Sequence, residues 1–226
     1  MKVAILGTGM VGRSLADGIA RLGHAVAVGT RDPQATLARG DSDAMGNPPF
    51  SVWHGDHPEV ALRPFADAAS LGELIVNATS GRSSLEVLDL AGADNLAGKV
   101  LIDVANPLDF SKGLPPTLFV KDTDSLAEQI QRAFPDAKVV KTLNTVNAIL
   151  MADPAKLAGA DHSIFVSGND VEAKASVTEL LRSLGWRDVI DLGDLSTARG
   201  AEMLLPVWLR LMNALGTPAF NFKIVR

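Results

Sequence analysis

GTGMVG, residues 7–12, follows an apolar run from Lys2 to Leu6 that is typical of a buried β-strand. Apolar residues then recur every three or four positions over residues 11–22, and Gly23 follows them, a pattern that predicts a helix with a glycine stop. A GxGxxG motif carries little information alone. Between a strand and a helix at the start of a βα pattern, it is the fingerprint of a dinucleotide-binding turn.

The spacing of the three glycines matches the physical needs of such a turn. Gly7 permits the tight turn, Gly9 lets a pyrophosphate approach the backbone, and Gly12 lets helix and strand pack closely. The helix that follows presents free N–H groups and the positive end of its dipole to the phosphates. The whole motif is therefore a predicted cofactor-binding site: Gly7, Thr8, Gly9, Met10, Val11 and Gly12.

Short apolar runs that end in small polar residues recur along the chain and alternate with helical patterns. They lie at residues 25–28, 73–77, 100–105 and 138–143. This alternation is typical of βαβ units in a parallel sheet that is buried on both faces. We therefore expect an α/β protein with an NAD(P)-binding Rossmann fold, a doubly wound and mostly parallel sheet, over residues 1–150.

The composition changes at Met151, and residues 151–226 are predicted to form a small C-terminal α/β extension that packs on the sheet. We expect a strand at 162–167, a helix at 171–184 and a last strand at 189–192. Residues 201–215 are apolar almost all round, which predicts a helix kinked at Pro206 and buried in the core, in a pocket wall or in a dimer interface. Residues 40–58 form an unusually long connection, interpreted as a packed surface loop with a ligand lid as the alternative.

The end of the second predicted strand reads Gly29-Thr30-Arg31-Asp32-Pro33 and selects between the two nicotinamide dinucleotides. An acid at this point would hold the ribose hydroxyls of NAD, whereas an arginine accommodates the 2′-phosphate of NADP. Asp32 precedes a proline, a favoured first residue of a helix, so we interpret Asp32 as a helix N-cap. Thr30 and Arg31 then face the ribose, which favours NADP; a solvated surface arginine is the alternative.

Three further segments contribute candidate cofactor-binding residues, because ligands of a doubly wound sheet bind beyond the carboxyl ends of its strands. The same residue types are also common in turns, which is the alternative for each segment. The candidates are Ala78, Thr79, Ser80, Asn106, Pro107, Asn144 and Thr145.

The composition excludes several classes of function. The chain has 226 residues, with 21 Lys+Arg against 26 Asp+Glu and a net charge of −5, and its basic residues are scattered, so we expect no nucleic-acid partner. No cysteine is present, which excludes disulfides and thiolate metal sites, and no metal site is predicted. No apolar stretch is long enough to span a membrane, so a cytoplasmic location is expected.

Five segments along nearly the whole chain carry a family resemblance: GTGMVG from Gly7, VGTR from Val28, DVANPL from Asp103, VVKTLNT from Val139, and a C-terminal pattern of Glu202, Pro206 and residues 222–225. By these segments the chain resembles the NADPH-dependent oxidoreductases of the coenzyme F420-dependent type, a group that includes the cytoplasmic domain of STEAP-type metalloreductases. The resemblance implies that NADP is bound by the glycine loop and by Thr30 and Arg31, with the nicotinamide facing a pocket closed by the C-terminal segment.

One departure from the family pattern concerns the acceptor. The deazaflavin users of this family carry a histidine at the position of Asn144 and a proline at that of Asn147. The resemblance therefore implies NADP binding while leaving open whether F420 itself is the acceptor.

The residues near the strand ends bear on the reaction. Reduction of a carbonyl needs a proton donor, normally His, Lys or Tyr. The chain has no Tyr, and Lys141 is the only basic residue near a strand end. Transfer to a flavin-like ring needs no such donor. We therefore expect hydride transfer between NADPH and a flavin-like or deazaflavin (F420) acceptor, with no catalytic residue assigned. The alternatives are an NADP-dependent dehydrogenase acting on a small carbonyl or imine and a non-catalytic NADP(H)-sensing module.

Three further expectations concern a buried ion pair, the acceptor pocket and the oligomeric state. Asp103 and Lys141 each stand three residues before a strand-end asparagine, so neighbouring strands in register would bring them together as a buried ion pair. The apolar residues expected against a small-molecule redox acceptor are Met203, Pro206, Val207 and Trp208. A homodimer is expected, with the C-terminal segment in the acceptor pocket or the dimer interface.

Overall fold

The computed structural model describes residues 1–42 and 46–226. Its strands over these residues are β1 (Lys2–Leu6), β2 (Ala25–Thr30), β3 (Ala61–Pro64), β4 (Leu74–Asn77), β5 (Val100–Asp103), β6 (Leu108–Asp109), β7 (Thr117–Leu118), β8 (Lys138–Thr142), β9 (Ser163–Gly168) and β10 (Asp188–Asp191).

Its helices are α1 (Met10–Arg21), α2 (Pro33–Ala38), α3 (Phe50–Gly55), α4 (Phe65–Leu71), α5 (Ser84–Ala91), α6 (Ala93–Leu96), α7 (Leu126–Ala133), α8 (Ala148–Met151), α9 (Val171–Ser183), α10 (Ala198–Met203) and α11 (Leu205–Leu215). Short 3-10 turns occur at Gly81–Ser83, Pro154–Lys156, Ala158–Ala160 and Leu195–Thr197.

Eight strands form one sheet in the order β10-β9-β8-β5-β4-β1-β2-β3. From β3 to β8 all neighbouring strands are parallel, whereas β9 runs antiparallel to β8 and β10 runs parallel to β9. The six parallel strands have the order of a doubly wound dinucleotide-binding sheet. The predicted fold class, a Rossmann fold with a mostly parallel sheet, is confirmed. Residues 151–226 add two strands to the same sheet.

Both faces of the sheet are covered, as expected for parallel strands. Successive residues of β1 point to opposite faces, so Val3 and Ile5 pack in one apolar core while Ala4 and Leu6 pack in the other. The first core contains the inward residues of α1 and α9, and the second those of α4, α5 and α7. These layers fix the carboxyl ends of the parallel strands along one edge.

Several local predictions need correction. Residues 201–215 are not one kinked helix: α10 ends at Met203, and α11 begins at Leu205 with Pro206 in its first turn. Proline has no N–H to donate, so it fits the first turn of a new helix better than the interior of a continuous one. The long segment 40–58 contains α3, and its residues 43–45 lie outside the described part. Across the described residues, no helix combines the length and apolar character needed to cross a bilayer.

Candidate functional site

The glycine loop lies where β1 passes into α1, beside the loop that follows β4. Gly7 has φ 127°, and its N–H donates to the carbonyl oxygen of Gly29 at 3.1 Å. A Cβ atom at Gly7 would lie 2.5 Å from the carbonyl oxygen of Ala78, and one at Gly12 would lie 2.1 Å from that of Gly7. Only glycine fits these two contacts, and the first of them brings the glycine loop against the predicted cofactor-binding segment at Ala78.

Gly9 differs from its two neighbours in the motif. A Cβ atom there would meet no atom within 4 Å, so packing of the described protein does not require glycine at this position. Gly9 is the N-cap of α1, whose first turn has no side-chain cap and no acidic residue. The open face and the uncapped amides of a 12-residue helix fit an approaching pyrophosphate.

A pocket of about 360 Å³ adjoins this loop, and sequence reasoning did not identify it. Arg13 donates from Nε to the carbonyl oxygen of Thr8 at 2.9 Å, and its guanidinium lies 5.6 Å from the centre of the Phe50 ring. Arg39 also lines the pocket. Arg13 and Arg39 place two cations beside the glycine loop, together with the carboxylate of Asp41. No motif marks Arg13 or Arg39, because their proximity depends on how residues 46–55 fold back onto α1.

At the carboxyl end of β2, the cap assigned to Asp32 is confirmed: its carboxylate accepts from the N–H of Ala35 at 3.0 Å. Arg31 is exposed, and its guanidinium donates to the Glu86 carboxylate of α5 at 2.6 Å. Thr30 is buried, and its hydroxyl lies 2.8 Å from that of Thr36. Arg31 is therefore the solvent-accessible member of the predicted Thr30–Arg31 pair, whereas Thr30 holds the start of α2.

The loop after β4 carries Ala78, Thr79 and Ser80. The Thr79 hydroxyl donates to Asn77 Oδ1 at 2.6 Å and lies 3.0 Å from the Ser84 hydroxyl. The Ser80 carbonyl accepts from the N–H of Ser83 at 2.8 Å. These side chains therefore order the loop next to Gly7.

Asn106 and Asn144 meet at the carboxyl ends of β5 and β8. Asn106 Nδ2 donates to the carbonyl oxygen of Asn144 at 2.9 Å, and Asn144 Nδ2 donates to Asn106 Oδ1 at 3.1 Å. Asn144 Nδ2 also donates to the Ala201 carbonyl of α10 at 3.0 Å. Thr145 is buried beside them, and the Pro107 carbonyl accepts from the N–H of Phe119. The structure thus brings the predicted strand-end residues together and ties them to the C-terminal helices.

Beneath these asparagines lies the predicted Asp103–Lys141 ion pair, which is confirmed. The two residues are register partners on β5 and β8, and Lys141 Nζ donates to Asp103 Oδ2 at 2.8 Å. Both side chains are completely buried. Lys141 also donates to the carbonyl oxygen of Ala105 and lies 2.9 Å from Glu202 Oε1. All three ammonium protons of Lys141 therefore have acceptors.

Glu202 is the member of this cluster that sequence reasoning missed as a partner. Its carboxylate accepts from the N–H of Leu126 at 2.9 Å and from that of Ala127 at 3.2 Å, so it caps the N-terminus of α7 from outside. One turn earlier on α10, Arg199 donates to Glu128 of α7 through both Nε and Nη2. A charged residue within an apolar helix indicated that Glu202 needs a partner. The sequence did not indicate which one, because Lys141 lies about sixty residues earlier.

The charges of this cluster shift the pKa values of its members. Burial alone lowers the pKa of Lys141, but the charges of Asp103 and Glu202 outweigh it, so the pKa lies above the usual lysine value. Burial raises the pKa of Glu202, and Lys141 only partly offsets this. The two carboxylates around Lys141 therefore favour its charged form.

A groove of about 390 Å³ opens between α10–α11 and the segment around β7. Of the four residues expected against an acceptor, Met203 and Pro206 line it, whereas Val207 and Trp208 do not. Trp208 is buried, with its ring centre 5.1 Å from that of Phe220, and Val207 is exposed. Trp208 thus stacks on Phe220 and does not line the groove.

Comparison with known proteins identifies the family. A crystal structure at 65% identity, from Arthrobacter sp. FB24, superposes with a TM-score of 0.96 and covers 100% of both chains; it is a proposed F420-dependent NADP-reductase. Residues 2–107 match the family of NADP oxidoreductases that are coenzyme F420-dependent. The chain belongs to this family. The predicted family resemblance is confirmed.

Two further relatives of this F420-dependent NADP oxidoreductase family member match over most of the chain. Rat metalloreductase STEAP3 is 32% identical over 213 residues, which are 92% of this chain and 38% of the rat protein. The F420-dependent NADP reductase of Methanocaldococcus jannaschii is 27% identical over 213 residues, covering 93% of this chain and 92% of that protein. The chain thus spans about two fifths of the mammalian metalloreductase and nearly all of the archaeal reductase.

Proposed function

We propose that this protein is an NADP(H)-dependent oxidoreductase that transfers hydride between NADPH and a flavin-like or deazaflavin acceptor. Bound NADPH supplies the hydride, which carries two electrons and one proton, and an acceptor that needs a second proton takes it from water. One observation carries the choice of acceptor. Lys141, on β8 three residues before Asn144, is completely buried, and Asp103, Glu202 and the Ala105 carbonyl accept its three protons.

The sealed lysine argues against carbonyl or imine reduction. A general acid must reach the reacting atom within about 3 Å or through one water. Lys141 is completely buried, and its raised pKa makes it a poor proton donor at neutral pH. A flavin-like ring stabilises the charge it receives, so the protein has only to position two rings.

The chain's own residues would hold the cofactor along the carboxyl edge of the sheet. The amides at the start of α1 and the open face at Gly9 take the pyrophosphate. Arg31 takes the 2′-phosphate, since Asp32 is already used as a cap. The hydrogen-bonded side chains of Asn106 and Asn144 lie beside the nicotinamide. Met203 and Pro206 contact the acceptor.

The cofactor preference gives the first test. A charge-assisted contact between Arg31 and the 2′-phosphate is worth roughly 1.5–3 kcal/mol, so NADPH should bind about 10- to 100-fold more tightly than NADH. Arg31→Ala should remove that ratio and leave NADH affinity nearly unchanged. Arg21→Ala, at the far end of α1 and also exposed, is the matched control. Equal affinities in the unmutated protein would refute the assignment.

The reaction itself is tested by stopped-flow absorbance at 340 nm. Purified protein and NADPH are mixed with FMN, FAD, riboflavin, F420, ferric chelates, and small ketones or imines. Rapid oxidation with a flavin-like acceptor, slowed by NADPH deuterated at C4, supports the proposal. Rapid turnover with a ketone or imine would replace it with a dehydrogenase. Binding of NADPH without turnover of any acceptor would replace it with an NADP(H)-sensing module.

We further propose a homodimer and a cytoplasmic location, with residues 1–150 as the cofactor domain and 151–226 as its extension. Exposed apolar side chains on α11, Val207 and Leu215 among them, support self-association. Light scattering during size-exclusion chromatography tests the dimer, and cell fractionation tests the location.

A further inference from the structure

Arg13, at the end of the first turn of α1, holds two successive carbonyl groups of the glycine loop. Its backbone N–H donates to the carbonyl oxygen of Gly9 at 3.0 Å, as the first hydrogen bond of the helix. Its side-chain Nε donates to the carbonyl oxygen of Thr8 at 2.9 Å. One residue therefore fixes the two peptide units on either side of Gly9.

The direction of each carbonyl group sets the direction of the N–H in the same peptide unit. Both peptide units are trans, and in a planar trans peptide the C=O and N–H groups point in opposite directions. The N–H groups of Gly9 and Met10 therefore point away from the side on which Arg13 holds the carbonyls. Among the described residues, neither amide has a hydrogen bond. They are the amides that the proposed function gives to the pyrophosphate.

The Arg13 side chain is itself held by residues 46–55. Its Nη1 donates to the carbonyl oxygen of Pro48, and its guanidinium carbon lies 5.6 Å from the centre of the Phe50 ring, within cation–π range. Phe50 is buried at the start of α3, so its ring is a fixed support. A planar guanidinium donates to two carbonyls in set directions and lies flat on a ring, which a lysine ammonium does not reproduce.

We propose that Arg13 is a positioning residue that orients the Gly9 amide for the cofactor pyrophosphate through the Thr8 carbonyl, with Phe50 fixing the guanidinium. This inference rests on the proposed function and adds a residue that acts on the cofactor through the backbone of the loop. It differs from a direct charge contact with a phosphate, because two N–H donors of Arg13 are used by protein carbonyls. Charge alone at residue 13 is therefore not sufficient.

Arg13→Lys separates geometry from charge, because it keeps the cation and loses the planar group. Two ligands are titrated by NMR: ADP-ribose 2′-phosphate, which contains the pyrophosphate, and adenosine 2′-monophosphate, which does not. The variant should bind the first about tenfold more weakly and the second as well as the unmutated protein does. Arg21→Lys, an exposed arginine at the far end of α1, is the matched control and should change neither affinity.

Phe50→Leu tests the support for the guanidinium. It should weaken binding of ADP-ribose 2′-phosphate in the same direction, and the double variant Arg13→Lys/Phe50→Leu should lose less than the two single losses combined. Thermal melting of each variant identifies any loss of fold. Strict additivity would overturn the role given to Phe50.

Two other results would overturn the inference as a whole. An Arg13→Lys variant that binds ADP-ribose 2′-phosphate like the unmutated protein would show that the charge suffices. An equal loss for both ligands would show general damage to the site or direct contact with the 2′-phosphate. No acceptor is present in these titrations. The expected loss in Arg13→Lys, in a protein that transfers hydride to no acceptor, would therefore overturn the proposed function and support the inference.

Discussion

Replacing Lys141 by Met removes the one cation that Asp103 and Glu202 share and keeps a side chain of similar length. Removing one partner of a buried ion pair costs about 3–5 kcal/mol, because the remaining charge stays buried. Here two carboxylates lose their cation. Each keeps other donors: Asn77 and the N–H of Ala105 for Asp103, and the start of α7 for Glu202. We therefore expect a loss of about 3–5 kcal/mol in unfolding free energy.

Urea unfolding followed by circular dichroism measures this loss. At 2–4 °C per kcal/mol for a chain of this size, thermal melting should fall by roughly 6–20 °C. Lys138→Met is the matched control on the same strand. Its partner Asp170 lies 3.0 Å away in a half-exposed pair, so its loss should cost about 1 kcal/mol or less.

The pH dependence of the Lys141→Met penalty provides a second measurement. A carboxyl whose folded pKa is raised contributes stability at low pH and loses it as pH rises through that pKa. The pKa of Glu202 is already raised, and removing Lys141 raises it further. The penalty should therefore be larger at pH 8 than at pH 5. Lys141 also has a raised pKa, so its stabilisation in the unmutated protein persists at neutral pH and is lost only as pH rises through that pKa.

A double-mutant cycle decides whether the side chains interact. Asp103→Asn combined with Lys141→Met should cost at least about 1 kcal/mol less than the sum of the two single changes. Strict additivity would refute the reasoning, as would a Lys141→Met cost no greater than that of Lys138→Met.

Three further outcomes can be checked. Gly9→Ala should leave the melting temperature nearly unchanged while lowering NADPH affinity about tenfold or more, whereas Gly12→Ala should destabilise the fold by about 1–3 kcal/mol because its Cβ meets the backbone; equal effects on stability would contradict this contrast. The Asp124 carboxyl, hydrogen-bonded to Arg132, has a pKa lowered to about 2, so NMR titration should show it rise towards 3.8 in Arg132→Ala, and no change would exclude the contact as the cause. Glu86→Gln should tighten NADPH binding by up to about fivefold by releasing Arg31, and weaker binding would contradict competition.

The sequence predicted the elements whose pattern is local. β1 and α1 follow from the GxGxxG motif and from apolar periodicity, and α9 follows from the helical pattern over residues 171–184. β3 was missed because it is four residues long, ends in Pro64 and lies at the edge of the sheet. Its weak alternation cannot be told from a loop. The antiparallel direction of β9 was also not predictable, since the connection from β8 to β9 is long enough for a parallel or an antiparallel strand.

In the candidate site too, roles set by local geometry were predictable and roles set by distant contacts were not. Residues that act through backbone geometry, Gly7 and Gly12, show their role in the spacing of the motif. The mutual hydrogen bonds of Asn106 and Asn144 depend on register between strands that are 38 residues apart, and only a shared three-residue offset signalled it. Thr30 was expected at the ribose, but its hydroxyl turns towards Thr36, which no strand-end pattern distinguishes.

The buried cluster of Asp103, Lys141 and Glu202 holds the C-terminal helices in place, as the proposed acceptor wall requires. α10 and α11 are short, and α11 exposes much of its apolar surface, so packing alone would hold them weakly. Glu202 binds Lys141 and the start of α7, while the neighbouring Ala201 carbonyl holds the Asn144 amide. One turn of helix therefore fixes the proposed acceptor wall and the two asparagines proposed at the nicotinamide to β5 and β8. A change that frees Glu202 should loosen the wall and Asn144 together, which makes the distance between the two proposed rings a property of this buried cluster.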